Sequence, residues 1–195
     1  MEKKQKIIVA VTGASGSLYA RLLVQKLLNF EEVELSLIVT DNGMAVARYE
    51  DNPDWMTDQR LRYYDNNDFF SAPASGSAGF DAMVIIPCTM GTLGRIAAGV
   101  STDLIVRAAD VMLKERRTLI VVPREAPYGT IHLRNMTTLS ECGAIICPAS
   151  PSFYSRPESI EAACETVVDR VLSLLGLDHG GYEWGGGAVR HSERG

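Results

Sequence analysis

Five short runs rich in Val, Ile and Leu recur along the chain, at Ile7 to Thr12, Leu35 to Thr40, Ala82 to Pro87, Leu119 to Pro123 and Ala144 to Pro148. Most of the intervening segments read as helices. Strands that are apolar on both faces need cover on both sides, so the pattern predicts an α/β fold with a parallel, doubly wound sheet between two helix layers. Each run ends in a polar loop carrying Gly or Pro: TGASGS, TDNG, PCTMGT, PREAP and PASPSFY. In a parallel sheet all five loops fall on the carboxyl edge, where open α/β sheets bind ligands. With 195 residues and 46% apolar content, the chain is long enough for one domain, expected over 1–177, without disulfide staples. Residues 178–195 read as a Gly-rich tail in which Tyr182 and Trp184 are out of place for a purely solvated segment. Docking on a neighbouring subunit would account for them.

Composition narrows the classes of partner. Cys88, Cys142, Cys147 and Cys164 show neither CxxC pairing nor metal-ligand spacing, so a reduced, cytoplasmic chain without a metal site is expected. MEKKQK leads directly into a strand-like run, and no stretch of about 18 apolar residues predicts a membrane span. A net charge of -5 without a long basic run argues against nucleic acid.

The loops carry the first chemical signals. In TGASGS, Gly13 and Gly16 permit a tight turn, and Ser15 or Ser17 stands at the first turn of a helix expected to run through Asn29, an anion site suited to phosphate. The GxGxxG fingerprint is incomplete, yet Asp41 falls where a dinucleotide fold keeps its ribose-binding acid, so an NAD-dependent enzyme is a rival reading. Glu50 ends the next short helix and by itself reads as an exposed terminal glutamate. Residues 52–81 show neither helical nor strand period, a long irregular stretch for so short a chain. Within it, Phe69 and Phe70 precede Ser75, either as an aromatic pocket wall or as a cover for the core. Thr89, Gly91 and Thr92 in PCTMGT suit a phosphate or a polar ring.

Residues 101–127 read as a helix capped by Ser101 or Thr102, then a buried strand that stops at Pro123, before Arg124-Glu125. Arg107 and Lys114 lie two turns apart on one face. Asp103/Arg107 and Asp110/Lys114 are also spaced as i,i+4 pairs on a solvated helix, and spacing alone favours that reading. A helix over about 130–142 carries His132, read as structural. The last helix is expected to start at Pro157 and stop at Gly176, with Arg170 on the flank of its apolar face, either snorkelling or facing the loop of Tyr154.

TGASGS, PASGS, PCTMGTL, RAADVMLKERR, VVPREAP, IHLRNM and PSFYSRPES, in this order over nearly the whole chain, resemble the UbiX-type flavin prenyltransferases within the wider family of flavin-dependent cysteine decarboxylase-like flavoproteins. The resemblance implies a three-layer, flavodoxin-like or Rossmann-like domain that binds FMN. It further implies transfer of a dimethylallyl group from dimethylallyl phosphate to N5 and C6 of reduced FMN, giving prenylated FMN for a UbiD-type decarboxylase. Matching motifs put FMN against Gly13, Ala14, Ser15, Thr40, Thr89, Met90, Gly91, Thr92 and Arg124, with Arg107 beside them. They assign the prenyl phosphate to Lys114, Tyr154 and Arg170 and put Phe69 and Ser75 on the substrate side, some of these arriving from adjacent subunits of a homo-oligomer resembling the family's dodecamers. Ser15, Glu50 and Glu125 match positions implicated in proton handling.

The implied chemistry is consistent with the residues. Loss of phosphate from an allylic carbon requires anion stabilisation at one end and cation stabilisation at the other. Arg and Lys supply the first, and the DDxxD cluster that holds magnesium in many prenyltransferases is absent. Phe69 stands where some members of the family carry Trp, a weaker cation-stabilising face. Two rival readings are a flavin-dependent decarboxylase and a non-catalytic flavin-binding subunit. The decarboxylase branch resembles a PASANT pattern preceded by a catalytic His, and here no His precedes position 132.

Overall fold

The computed structural model describes residues 4–50 and 53–181; the tail expected to carry Tyr182 and Trp184 lies outside them. Strands β1 (Gln5–Val11), β2 (Val33–Val39), β3 (Arg62–Asp65), β4 (Ala82–Cys88), β5 (Thr118–Pro123) and β6 (Ile145–Ile146) form one sheet in the order β3-β2-β1-β4-β5-β6. Every neighbouring pair is parallel. All five predicted runs are strands, although the fifth shrinks to two residues. The sixth, β3, falls inside the stretch read as irregular. Only Tyr64 of its four residues is buried, so no alternation develops over its length, and it holds the sheet edge by pairing with β2.

Alternate residues of the strands build two cores. Ile7, Val9 and Val11 pack on the side of α1 (Ser17–Leu27) and α6 (Ile160–Leu174), where Ala47 of α2 (Asp41–Glu50) also lies. Ile8 and Ala10 pack on the opposite side, with α3 (Met90–Ala97), α4 (Leu104–Lys114) and Leu139 of α5 (Thr130–Glu141). Among the described residues no helix is long and apolar enough to cross a membrane.

Side-chain caps move two expected boundaries. Asp103, rather than Ser101 or Thr102, caps α4 by accepting from Val106 N at 3.1 Å, and its second oxygen is held by Arg95 of α3. Ser159 caps α6 by accepting from Ala162 N at 3.0 Å, so the helix starts at Ile160 and not at Pro157. In each case the side-chain oxygen that satisfies a free helical N–H decides the start.

Leu23 of α1 is fully buried in the first core. Leu23→Ala is expected to cost about 2–5 kcal/mol through lost transfer energy and a residual cavity. Urea unfolding should show this as a lower midpoint at an unchanged slope.

Candidate functional site

The chain leaves β1 toward β2 and leaves β4 toward β5, on opposite sides, which opens a crevice at the carboxyl ends of these two adjacent strands. Thr12 joins its rims. Its buried hydroxyl donates to the Pro87 carbonyl at 2.8 Å and accepts from Thr89 N at 2.9 Å. TGASGS and PCTMGT are thereby fixed side by side.

Close packing shapes the TGASGS rim. A Cβ on Gly13 would sit 2.6 Å from the Asn42 Cβ, and one on Gly43 2.7 Å from the Val11 carbonyl oxygen, so the start of α2 rests directly on the end of β1. Thr40 supports that start by accepting from Gly43 N at 2.9 Å. Ala14 is buried, Ser15 is exposed, and Gly16 takes the left-handed conformation (φ 108°) that begins α1. The free N–H groups there already have an anion. Gly16 N and Ser17 N donate to the Glu50 carboxylate at 2.8 and 3.0 Å, Ser17 Oγ lies 3.2 Å from it, and the Ser15 hydroxyl also binds it. The seat expected for phosphate at this helix end is therefore held by the protein's own carboxylate. Burial pushes the Glu50 pKa up, but these four hydrogen bonds outweigh it and hold the carboxyl below its ordinary 4.5. Glu50 is thus held as a carboxylate, with the exposed Ser15 among its hydrogen-bond partners.

The opposite rim presents donors and open backbone. Thr89 caps α3, accepting from Thr92 N at 3.1 Å, and its hydroxyl meets that of Thr92 at 3.0 Å. Met90 is buried, whereas a Cβ on Gly91 would meet nothing nearer than Thr89 Oγ1 at 4.0 Å. A planar ring or a phosphate can therefore approach the backbone here, and the donor set of hydroxyls and N–H groups fits a flavin mononucleotide. Arg124 and Glu125 follow β5, both exposed, and Arg124 N donates to the Cys88 carbonyl at 3.2 Å, which brings this loop to the same rim. The Glu125 carboxylate accepts from Ala126 N at 3.0 Å. Tyr19 of α1 packs in the first core; burial and the adjoining Cys164 push its hydroxyl up to about 12, against the pull of Arg124. Thr12 was not legible as a site residue, since it reads as the end of a strand.

The remaining expected residues are dispersed. Arg107 donates to the Ala74 carbonyl at 3.1 Å and pairs with Asp110 at 2.7 Å, while Lys114 pairs with Glu115. The anticipated i,i+4 partners are not used, because Arg95 takes Asp103 and the neighbouring Glu115 takes Lys114. Lys114 lies just before the amino end of β5 and Arg124 just after its carboxyl end; six strand residues separate those ends by about 20 Å. Arg170 belongs to α6, across the sheet from α4. With Cys147, Ser150, Ser152, Arg156 and His179 it lines a cavity of about 1000 Å³, where its charge opposes the burial that raises the Cys147 pKa. Tyr154 stands 71% exposed in the turn before α6, and Phe69 is partly and Phe70 fully exposed. One chain thus gathers TGASGS, Thr40, PCTMGT and Arg124-Glu125, and separates Lys114 both from that group and from Arg170.

Comparison with known proteins agrees with this geometry. The Flavoprotein family model matches residues 1–176, so the chain belongs to that family. Within it, the similarity is to the flavin prenyltransferases of the UbiX type. The chain is 46% identical over 183 residues to flavin prenyltransferase UbiX of Methanocaldococcus jannaschii, covering 92% of this chain and 98% of that protein. The crystal structure of AnUbiX (PadA1) in complex with FMN and dimethylallyl pyrophosphate superposes with a TM-score of 0.90 at 38% identity, covering 94% of this chain and 99% of that one. A dodecameric FMN-dependent UbiX-like decarboxylase from Escherichia coli O157:H7 gives a TM-score of 0.89 at 38% identity, covering 93% and 100%.

The environment of Glu50 has a consequence for pH dependence. Its pKa is depressed in the folded state, so its charge contributes stability that is complete above pH about 4.5 and is lost as the pH falls through the lower folded value. The difference in thermal midpoint between the wild type and Glu50→Gln is expected to be largest near neutrality and to shrink in acid. A difference that does not vary with pH would show that the carboxylate charge does not hold the loop.

Proposed function

We propose that this protein transfers the dimethylallyl group of dimethylallyl phosphate to N5 and C6 of reduced FMN, without a metal, to give prenylated FMN. The observation that carries the reading is the crevice between TGASGS and PCTMGT, open at Gly91 and flanked by Arg124, in a chain 46% identical to a flavin prenyltransferase. Gly13, Ala14, Ser15, Thr40, Thr89, Met90, Gly91, Thr92 and Arg124 hold FMN there, and reduced FMN supplies the electron-rich acceptor atoms. Lys114, Tyr154 and Arg170 hold the donor phosphate through charge-assisted and hydroxyl hydrogen bonds that strengthen as the leaving group gains charge. Ser75 orients the donor, and Phe69 lends an aromatic face to the allylic fragment. Glu50, through Ser15, takes up a proton, and Glu125 serves the same exchange from the Arg124 side.

Lys114 and Arg170 sit on helices that cover opposite faces of the sheet, so the phosphate site is completed between chains. Exposed Phe70, Ile131, Leu133, Phe153 and Ile160 supply apolar surface for that contact. The assembly we propose is a dodecamer, the form of the Escherichia coli relative. A UbiD-type decarboxylase is the proposed recipient of the product.

Anaerobic incubation with reduced FMN, dimethylallyl phosphate and a chelator, followed by mass spectrometry of the released flavin, tests the reading. A flavin heavier by one prenyl unit is expected, and unmodified flavin would refute it. Arg170→Ala is expected to raise the barrier to product formation by roughly 2–4 kcal/mol, the scale of a removed anion-stabilising donor, while FMN affinity stays at the wild-type value. Wild-type turnover and donor affinity in that variant would return Arg170 to a helix-flank role.

A further inference from the structure

Residues 72–79 carry Ser75, yet what holds their backbone is a pair of guanidinium groups from α4 and the turn after it. Arg107 Nε donates to the Ala74 carbonyl at 3.1 Å and Arg117 Nη2 to the Gly76 carbonyl at 2.8 Å, which pins the chain on both sides of Ser75. Arg117 reaches this position because α4 ends with Arg116 in the left-handed region (φ 57°) and the Arg117 N–H turning back to the Met112 carbonyl at 2.9 Å. Glu115 closes the arrangement. Its carboxylate binds Lys114, lies 3.8 Å from Arg117 Nη2, and packs so near Gly76 that a Cβ there would meet it at 2.4 Å. Arg117 Nη1 is buried with no hydrogen-bond partner among the described residues, so the fold of this chain does not fully compensate the cost of burying this cation.

We propose that Arg117 is a positioning residue for the donor site: it sets the Ser75–Gly76 turn and, through the shared carboxylate of Glu115, ties that turn to Lys114. The proposal rests on the prenyl-transfer reading. Without Arg117 the Gly76 carbonyl loses its charged donor and the turn around Ser75 loosens. Glu115 then loses its second cation and pairs wholly with Lys114, competing with the donor phosphate for it. Both effects weaken donor binding. FMN binding is spared, because Arg124 and the PCTMGT rim lie at the far end of β5.

The test uses Arg117→Ala and Arg117→Lys in the full chain, with two readouts. Hydrogen-exchange mass spectrometry of the peptide covering 72–79 is expected to show exchange about tenfold faster in Arg117→Ala, the scale of one lost hydrogen bond to a charged group, with Arg117→Lys intermediate. Steady-state kinetics are expected to show KM for dimethylallyl phosphate raised about tenfold with FMN affinity unchanged, and partial recovery in Arg117→Lys. Unchanged exchange overturns the anchor, and so does a donor KM equal to wild type or a parallel loss of FMN affinity. If Arg117→Ala does not fold, Arg117→Lys, which keeps the charge but not the fork, decides by the same criteria. A wild-type protein that forms no prenylated flavin sinks the functional reading and the donor-site role together, while the exchange measurement still judges the anchor.

Discussion

The buried hydroxyl of Thr12 holds together the carboxyl ends of the two central strands, and the crevice depends on it. The paired register of β1 and β4 ends at Ala10 and Ile85, and the Thr12 N–H continues the link beyond it by donating to the Pro87 carbonyl at 3.3 Å. The Thr12 hydroxyl adds a second donor to the same carbonyl and accepts from Thr89 N. A buried hydroxyl without partners would destabilise the centre of the sheet; with both partners it fixes the spacing of the two loops. The Thr89 cap of α3 and the turn at Gly13 both start from this link.

Charge is used locally before it is used for ligands. The N-terminus of α1, with its free N–H groups and positive dipole end, is neutralised by Glu50 from the end of α2. That carboxylate connects two helices and leaves the open anion-binding capacity at the Thr89-to-Thr92 turn and at Arg124. In the proposed complex the flavin is therefore shared between Gly13 to Ser15, Thr40, the α3 end and Arg124, while Glu50 stays bonded to the start of α1. The hydrogen bonds by which Glu50 holds the loop also favour its ionised form and lower its pKa.

The parallel sheet was legible because strands buried on both faces leave continuous apolar runs, and the loops because Gly and hydroxyl residues cluster where backbone must approach a ligand. The strand Arg62–Asp65 was not, since one buried residue in four carries no period. Charge pairing was misread where spacing offered equivalent partners: Asp103 suits Arg107 by helical arithmetic, but Arg95, eight residues earlier, reaches it across the α3–α4 turn. Asn66 illustrates the same limit. Its backbone carbonyl and side chain accept from Leu104 N and Ile105 N at 2.8 and 3.1 Å, joining the irregular stretch to the start of α4 through a separation no local pattern reveals.

The set of Lys114, Tyr154 and Arg170 marks a different limit, because the proposed convergence is not a property of one chain. Motif matching selects these residues individually, while the fold puts two of them on opposite faces of the sheet. Within a single chain Arg124, Tyr154 and Arg170 are exposed, and charges in that setting are screened by water and salt. In the proposed assembly, contact between chains would exclude water from the same groups and strengthen their hold on a departing phosphate. It would also shelter the allylic fragment, which water would otherwise capture. Assembly in the proposed enzyme is therefore part of the chemistry: the groups that stabilise the leaving phosphate gain their full effect only where a second chain covers them.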